Sequence, residues 1–167
     1  DGYNNVDKEV DRLIYSTGVI FVKSAGNTYD EVTSPGKALN TITVGNADTK
    51  NDYLQTRIVP YSIATESSYT EPDYLPNKPD IVAPGTNIAV PAQNGVRIGS
   101  GTSFAAPLVT GVLAQMCQRA PSLKYSRERA KAMLLLGAEQ GKISTTNNSY
   151  VQNFQRDKSG AGLVNAQ

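Results

Sequence analysis

The segment of this sequence best suited to chemistry is Gly-Thr-Ser-Phe-Ala-Ala-Pro at residues 101–107. A turn-forming glycine, a Thr-Ser pair that can cap, and Pro107 in the first turn predict the beginning of a helix that continues through Cys117. Ser103 would lie at the positive end of that helix. A serine oxygen there can act as a nucleophile, because the helix dipole and free backbone N–H groups stabilise the negative charge that develops on attack. A serine that only caps the helix is the alternative interpretation.

The elements that must position Ser103 begin upstream with a predicted helix over about residues 6–15. Its apolar residues recur at helical spacing between charged ones, which indicates a surface helix packed on a sheet; they are Val6, Val10, Leu13 and Ile14. Thr17 and Gly18 end this helix. The apolar run at residues 19–22 predicts a strand buried on both faces, as in a parallel sheet covered by helices. This order predicts an α/β layer fold.

Further elements follow on both sides of residues 101–107. A Pro-Gly turn at residues 35–36 precedes a predicted strand at residues 41–45. Two short apolar runs, residues 88–91 and 96–98, flank Asn-Gly and predict a hairpin that leads directly to Ser103.

A second predicted helix spans residues 126–136. Four of its residues or close neighbours are expected to face inward: Ala130, Met133, Leu134 and Gly137. Three are expected to face outward: Arg127, Arg129 and Lys131. Residues 48–78 are predicted to be largely a surface loop, with one strand candidate at residues 57–62. Residues 141–158 are predicted to be a polar loop with a strand at residues 150–154.

Composition excludes several classes of function. The chain has 16 basic and 15 acidic residues, which gives no electrostatic case for binding nucleic acid or an anionic membrane. No apolar run approaches the ~18 residues that a membrane helix needs. The single cysteine, Cys117, excludes an internal disulfide and a cysteine zinc cluster, and its apolar helix predicts a buried structural thiol.

Four segments, in order, resemble those of the subtilisin-like serine proteases, the subtilases. They are Val-Ile-Phe-Val-Lys-Ser-Ala-Gly-Asn at 19–27, Pro-Asp-Ile-Val-Ala-Pro-Gly at 79–85, the segment at 101–107, and Gly-Ala-Gly-Leu-Val-Asn-Ala at 160–166. Ordered motifs support one another more than a single short match does. The resemblance covers nearly the whole chain, and it implies a three-layer α/β/α fold with a mainly parallel sheet.

The resemblance also implies roles for individual residues. Ser103 would be the nucleophile, and the Asn27 amide would bind the oxyanion together with the Ser103 N–H. Asn27 could otherwise be a loop residue that tolerates an unusual backbone angle. The implied substrate-binding residues are Ser24, Ala25, Gly26, Ser34, Pro35, Gly36, Gly101 and Thr102. The small residues at 24–26 and 34–36 leave room for a substrate side chain. The resemblance implies an apolar or aromatic side chain before the scissile bond, although Asp30 and Glu31 leave a basic one open.

The departure from the family is the complete absence of histidine. A subtilase triad runs Asp, His, Ser along the chain, so we expect residues 1–167 to be the C-terminal portion of a catalytic domain. An upstream segment or a second chain would supply the Asp and His, and this chain alone would hydrolyse peptides negligibly. Because a half sheet exposes an apolar edge, we expect it to pair with the rest of its domain or to self-associate.

The resemblance carries two further expectations about ions and location. Many subtilases bind structural calcium, and Asp73 and Asp80 are acidic residues that could be ligands. They are isolated and form no ligand pattern, so they predict no metal site. No other cofactor is implied. Secretion or display at the cell surface would fit the family, and the partner of the complete protein would be a polypeptide substrate.

Three alternatives remain open at this point. One is an inactive pseudo-protease that keeps the fold and binds or regulates another protein. A second is a sedolisin-like protease, which shares Ser-Gly-Thr-Ser at residues 100–103 but has an acidic base and an Asp where Asn27 stands. A third is a Ser-Lys dyad that uses Lys23 or Lys37, although lysines at strand ends and in loops are usually solvated.

Overall fold

The computed structural model describes residues 2–29, 31–48, 61–70, 76–140, 143–144 and 156–166. Its helices are α1 (Asn5–Thr17), α2 (Thr102–Arg119), a 3₁₀ helix (Pro121–Tyr125), α3 (Arg127–Leu136) and α4 (Arg156–Ser159). Its strands are β1 (Val22–Ser24), β2 (Ile42–Asp48), β3 (Tyr61–Ile63), β4 (Ile81–Pro84), β5 (Ile88–Ala92), β6 (Gly95–Gly99) and β7 (Ile143–Ser144). Across these ranges, no helix has the length and apolar character needed to cross a bilayer.

Strand β2 is the centre of the main sheet. It pairs in parallel with β1 on one side and with β4 on the other, while β3 pairs with it in antiparallel orientation and β7 extends β3 in parallel. The predicted α/β class with a mainly parallel sheet is therefore confirmed. Strands β5 and β6 form a separate hairpin with Ala92 opposite Gly95, which confirms the prediction made from Asn94 and Gly95.

The main core lies between α2 and one face of the sheet. Alternate residues of β2 and β4 point toward the helix, and with it they form one buried cluster: Ile42, Val44, Ile81, Ala83, Ala105, Val109 and Leu113. Cys117 is buried in the same cluster as a free thiol, as predicted. The opposite face carries a smaller cluster of Ala47, Val82 and Leu163. Helix α2 is therefore held rigidly against the strands whose ends surround Ser103.

Helix α1 buries a different face from the one its apolar pattern predicts. Ile14 is buried as expected, but Val6 and Leu13 are 55% and 51% exposed, whereas Asp7 and Asp11 are buried. Positions 7, 11 and 14 share one face of a helix, since they are four and three residues apart. The expectation that the charged residues of this helix face solvent was therefore wrong for Asp7 and Asp11.

The two aspartates of α1 are buried because they bind the loop before β2. Asp7 accepts a hydrogen bond from the Ser34 hydroxyl, and Asp11 accepts backbone N–H bonds from Leu39 at 2.9 Å and Asn40 at 2.7 Å. Backbone N–H groups that lie under a helix need acceptors, and carboxylates satisfy them. The same polar residues that look solvated in the sequence thus fix the loop to the helix.

Strand β1 begins later than predicted and is not buried on both faces. It spans Val22–Ser24 and is half-buried, and Val19 is 44% exposed. Within the described ranges β1 pairs only with β2, so its other edge is open. The Lys23 ammonium folds over that edge and donates to the Ser24 carbonyl oxygen at 2.6 Å. A lysine on an open edge is a common protection against unwanted strand pairing.

Helix α3 matches its predicted bounds within one residue. Ala130 and Leu134 are buried as expected. Met133 is 47% exposed and Gly137 is exposed, so the expectation that they face inward was wrong. Arg127, predicted to face outward, is half-buried, and its guanidinium lies over the Tyr15 ring at 5.4 Å from the ring centroid. This contact links α3 to α1.

A buried ion network joins α3 to the start of β4. Arg129 is exposed as predicted, but Lys131 is half-buried and its ammonium lies 2.8 Å from one oxygen of Asp80. The ammonium of Lys78, 1% exposed, lies 2.8 Å from the other oxygen. Both ammonium groups also donate to the Thr41 carbonyl. Burial lowers the pKa of Lys78 to about 8, although the neighbouring carboxylate opposes that shift.

Stability is therefore expected to rise with pH because of Lys78. Between pH 8 and its ordinary pKa of 10.5, the unfolded chain holds a proton at this site that the folded chain has released. The free energy of unfolding should gain about 3 kcal/mol across that window. Urea unfolding at several pH values would measure it. Lys78→Met is the comparison variant, because Lys131 still donates to Thr41 and Asp80; parallel pH curves for the two proteins would contradict the prediction.

Residues 64–70 and 76–78 form a loop, as predicted, but part of this loop is buried and does not lie at the surface. Ser67, Ser68, Thr70 and Lys78 are all buried. Residues 49–60 and 71–75 lie outside the described ranges, so most of the strand candidate at 57–62 is untested, although β3 begins at Tyr61. The predicted strand at 150–154 also lies outside them.

Candidate active site

Helix α2 begins at Thr102, and its cap is the backbone of Gly101. Gly101 has φ 137° and makes no side-chain cap bond, so the predicted capping by the Thr-Ser pair was wrong. Pro107 is the sixth residue of the helix and not part of its first turn. Because proline lacks an N–H, the carbonyl of Ser103 loses the donor that an α-helix would give it. The backbone carbonyl of the nucleophile candidate therefore lacks its usual donor within the helix.

The hairpin fixes where α2 begins. At its base, the Gly101 N–H donates to the Gly85 carbonyl at 2.8 Å, and the Asn87 N–H donates to the Ser100 hydroxyl at 2.9 Å. The Phe104 ring lies directly over Gly99, where any side chain would collide with it. These contacts agree with the predicted role of the hairpin in positioning the helix start.

The Asn27 side chain is oriented by Thr102. Its Oδ1 atom accepts the Thr102 N–H at 2.9 Å and the Thr102 hydroxyl at 3.1 Å. The same hydroxyl accepts the Gly26 N–H at 3.2 Å, and Thr102 is fully buried. With Oδ1 held by two donors, the position of the amide Nδ2 is fixed as well, and it lies next to Gly101. Asn27 is exposed, so Nδ2 is available to an acceptor from outside the chain.

Ser103 presents both an exposed side chain and a first-turn N–H. The first N–H groups of a helix have no acceptor within it. Here the Thr102 N–H is taken by Asn27, and Gly101 accepts from Phe104 at 3.0 Å. The Ser103 N–H is left as a donor beside its own hydroxyl. Two donors, this N–H and the Asn27 amide, can thus stabilise negative charge that forms next to the serine oxygen.

Glycine is required at position 101. A Cβ there would lie 3.0 Å from Nδ2 and 3.3 Å from Oδ1 of Asn27, and the φ of 137° disfavours any L side chain. The predicted substrate-binding residues Gly101 and Thr102 are therefore adjacent to Asn27. Whether they contact substrate stays a prediction.

A cavity of about 430 Å³ opens beside Ser103, at the open edge of β1. Its lining residues are Val22, Lys23, Ser24, Ser103, Ala106, Pro107 and Thr110. Ser24, one of the predicted substrate-binding residues, thus shares a cavity with the nucleophile candidate. So does Lys23, and burial lowers the pKa of its ammonium. Among the described residues that line this cavity, none carries a carboxylate or an imidazole that could serve the serine as a base.

The remaining predicted substrate-binding residues lie in two places. Ala25 is buried within the loop that leads to Asn27. Ser34 binds the Asp7 carboxylate, and the buried Gly36 accepts a hydrogen bond from the Thr43 hydroxyl at 2.6 Å, so this turn, including Pro35 between them, is attached to α1 and β2. No described contact joins the turn to Ser103, and its part in binding substrate stays a prediction.

The contacts of Lys37 argue against its role as the base of a Ser-Lys dyad. It is buried, not solvated as expected, and its ammonium lies 2.8 Å from a Glu31 oxygen. This ion pair also weakens the argument that Glu31 could attract a basic substrate residue, because its charge is already compensated. Asp30 lies outside the described ranges.

The surroundings of Asp80 do not suit calcium. Its two oxygens already accept from the ammonium groups of Lys78 and Lys131 and from the Thr43 N–H at 2.7 Å. Two lysine charges at that point would repel a divalent cation. In the described ranges, no group of three His, Cys, Asp or Glu side chains could hold a metal ion. Asp73 lies outside those ranges.

Sequence reasoning missed two features of the site. The first is Thr102 as the residue that orients Asn27; its position next to Ser103 was noted, but a cap was the expected role. The second is the segment at residues 64–70, which contacts the loop around Asn27. Neither periodicity nor composition signals the second feature, because only the folded chain brings it to Gly26.

Comparisons with known proteins agree with this geometry. The sequence model described as the Subtilase family matches residues 1–158. The serine protease AprX of Bacillus subtilis is 31% identical over 171 residues, which cover 92% of this chain and 35% of AprX. Pyrolysin of Pyrococcus furiosus is 31% identical over 191 residues, covering 99% of this chain and 13% of pyrolysin.

Solved structures show the same similarity. Sphericase superposes with a TM-score of 0.78 at 24% identity, over 100% of this chain and 55% of that protein's chain. A cold-adapted subtilisin-like serine proteinase superposes with a TM-score of 0.66 at 28% identity, over 86% and 47%. This chain therefore spans about half the length of these two solved chains and about a third of the length of AprX.

Proposed function

The chain belongs to the subtilase family, and from this premise we propose that it carries the nucleophile of a serine endopeptidase. In the complete protein, Ser103 attacks the carbonyl carbon of a peptide bond and forms an acyl-enzyme, while a base takes the proton of its hydroxyl. The amine product leaves with a proton from that same base, and water then releases the acid product.

One observation carries this proposal: the fixed orientation of the Asn27 amide beside the Ser103 N–H. Thr102 holds Oδ1 of Asn27 with two hydrogen bonds, at 2.9 and 3.1 Å, which fixes the amide plane and with it the position of Nδ2. A loop asparagine without a catalytic role would not need its amide oriented next to an exposed serine. Preorganised donors of this kind favour the tetrahedral oxyanion, because no reorganisation is needed when charge develops.

The base is proposed to come from outside residues 1–167. The chain has no histidine, and in an Asp-His-Ser triad the imidazole takes the serine proton. The cavity beside Ser103 and the open edge of β1 are where we propose that the rest of the catalytic domain packs. Residues 1–167 by themselves are then expected to hydrolyse peptides negligibly. The proposed substrate is a polypeptide with an apolar or aromatic side chain before the scissile bond.

Labelling with a fluorophosphonate probe tests the proposal, because such probes react with serines that an adjacent base activates. We expect the complete protein to be labelled at Ser103, as located by mass spectrometry of its peptides. Residues 1–167 alone should not be labelled. Labelling of the isolated chain would contradict the proposal that the base lies elsewhere.

Two variants control the labelling experiment. Ser103→Ala should lose the label, and Ser100→Ala should keep it, since Ser100 is an exposed serine three residues away whose described side-chain hydrogen bond is with the Asn87 N–H. A complete protein that is folded but unlabelled would refute the peptidase. It would leave the inactive binding or regulatory protein as the alternative, in which the complete protein would also lack the base.

A further inference from the structure

We propose that Ser68 is a positioning residue for the oxyanion-binding donor: it holds the backbone on both sides of Asn27. The inference rests on the proposed function of Asn27 and adds a residue to it. Ser68 lies 41 residues after Asn27 in sequence. It belongs to the segment of residues 64–70, which we call the support loop. Thr102 orients the side chain of Asn27, and Ser68 would hold its backbone.

Ser68 forms hydrogen bonds with Gly26 and Thr28, the residues immediately before and after Asn27. Before Asn27, the Ser68 N–H donates to the Gly26 carbonyl at 3.0 Å. After Asn27, the Thr28 N–H donates to the Ser68 hydroxyl at 3.3 Å, and the two hydroxyls of Thr28 and Ser68 are 3.0 Å apart. With both neighbouring peptide groups held, Asn27 itself has little freedom to rotate about its backbone.

The support loop is itself fixed to the core. The Ala64 N–H donates to the Asn46 carbonyl at 3.0 Å, a bond between backbone atoms that Ser67→Ala and Ser68→Ala both leave in place. At the other end, the Thr70 N–H donates to the Lys78 carbonyl at 2.7 Å. Asn46 belongs to the central strand β2, so the support loop is fixed relative to the sheet. Through Ser68, it also fixes the loop around Asn27 relative to the sheet.

The packing around Gly26 shows how closely the two loops meet. A Cβ on Gly26 would lie 2.9 Å from the Ser68 hydroxyl oxygen, and Gly26 has φ 120°, which favours glycine. Ser68 is 1% exposed, and each of its described hydrogen bonds goes to Gly26 or Thr28. A serine that served only the stability of its own loop would not need its hydroxyl on the neighbouring loop.

The expected effect of Ser68→Ala is on the chemical step. Removing the hydroxyl frees the Thr28 N–H and loosens the backbone around Asn27, so Nδ2 would sample positions away from the oxyanion. Small displacements of a catalytic group are costly. In the complete protein we expect kcat for a peptide substrate to fall about tenfold while KM changes less than about twofold.

Ser67→Ala is the matched control. Ser67 is the adjacent serine, it is 3% exposed, and its hydroxyl accepts one backbone N–H, that of Asn46, which lies on β2. Its loss should lower the stability to thermal unfolding about as much as Ser68→Ala does and leave kcat within about twofold. Equal losses of kcat in the two variants would overturn the proposal.

A double-mutant cycle with Asn27→Ala separates positioning from a general structural effect. If Ser68 acts through Asn27, then Ser68→Ala should lower kcat by less than about twofold when Asn27 is already alanine. An undiminished tenfold loss in that background would overturn the proposal, as would an unchanged kcat in the single variant. A wild-type protein without peptidase activity would instead refute the proposed function itself.

Thr28→Val provides a second route to the same contact should Ser68→Ala fail to fold. Thr28 is exposed, so its substitution is tolerated more easily, and valine removes the hydroxyl that lies 3.0 Å from that of Ser68. We expect kcat to fall about threefold with KM unchanged, and this loss to disappear in the Asn27→Ala background. A loss that persists there, or none at all, would count against the inference.

Discussion

Replacing Ser103 by alanine is expected to lower peptide hydrolysis by the complete protein by at least about 10⁴-fold, the order of magnitude lost when one member of a nucleophile–base unit is removed. The acyl-enzyme cannot form without the hydroxyl oxygen. Binding of substrate should be almost unaffected, because Ser103 is exposed and holds no other element of the fold. Steady-state kinetics on a chromogenic peptide would measure kcat and KM separately.

Alanine is a suitable replacement because the fold around Ser103 does not depend on its hydroxyl. The helix is capped by the Gly101 backbone, and no described hydrogen bond uses the Ser103 side chain. Circular dichroism and the thermal unfolding temperature should therefore match those of the wild type. Retention of more than about one hundredth of the activity would show that another group is the nucleophile.

Replacing Asn27 by alanine is expected to lower kcat by about 10²–10³-fold with little change in KM. This range was measured on a subtilisin and is carried over from that family member. The physical reason is that the Asn27 amide binds the oxyanion only once the carbonyl carbon has become tetrahedral. Its loss therefore raises the free energy of the transition state and not that of the bound substrate.

Asn27→Asp sharpens the same test. Aspartate has nearly the same shape and keeps an oxygen that accepts from the Thr102 N–H and hydroxyl, so the local fold should survive. It replaces the Nδ2 donor by a second oxygen, and its charge repels an oxyanion. We expect a loss of kcat at least as large as for alanine. A raised KM with an unchanged kcat would indicate that Asn27 binds substrate instead.

The sequence was most informative where a local rule applies. Asn94 and Gly95 can adopt the backbone angles of a tight hairpin turn, and the structure has a hairpin there. The periodic segment at residues 126–136 is a helix because that spacing gives it one apolar side, and Ala130 is buried as expected. The order of motifs around Asn27 and Ser103 also identified the family, and the match of the Subtilase family model to residues 1–158 confirms it.

Local rules failed where a polar side chain is buried by a distant partner. Asp11 looks solvated in an amphipathic pattern, yet it accepts N–H groups from a loop 28 and 29 residues away. Lys78 looks like part of a surface loop, yet its charge lies against Asp80 beneath α3. Hydropathy assigns Asp11 and Lys78 to the surface because it considers each residue alone and not the hydrogen-bond or charge partner that makes its burial possible.

The sequence by itself determined the α/β class, the family, the identity of the serine at a helix start and the absence of any histidine to serve as its base. These follow from periodicity, turn chemistry and residue type, all of which are local properties. Only the tertiary structure decided that Thr102 orients Asn27 and that Ser68 binds the peptide groups on both sides of it. The same holds for the edge of β1 beside Ser103, which no other described strand covers. Hydrogen bonds that join residues 40 to 75 positions apart depend on how β2, α2 and the support loop pack, and no local pattern records that packing.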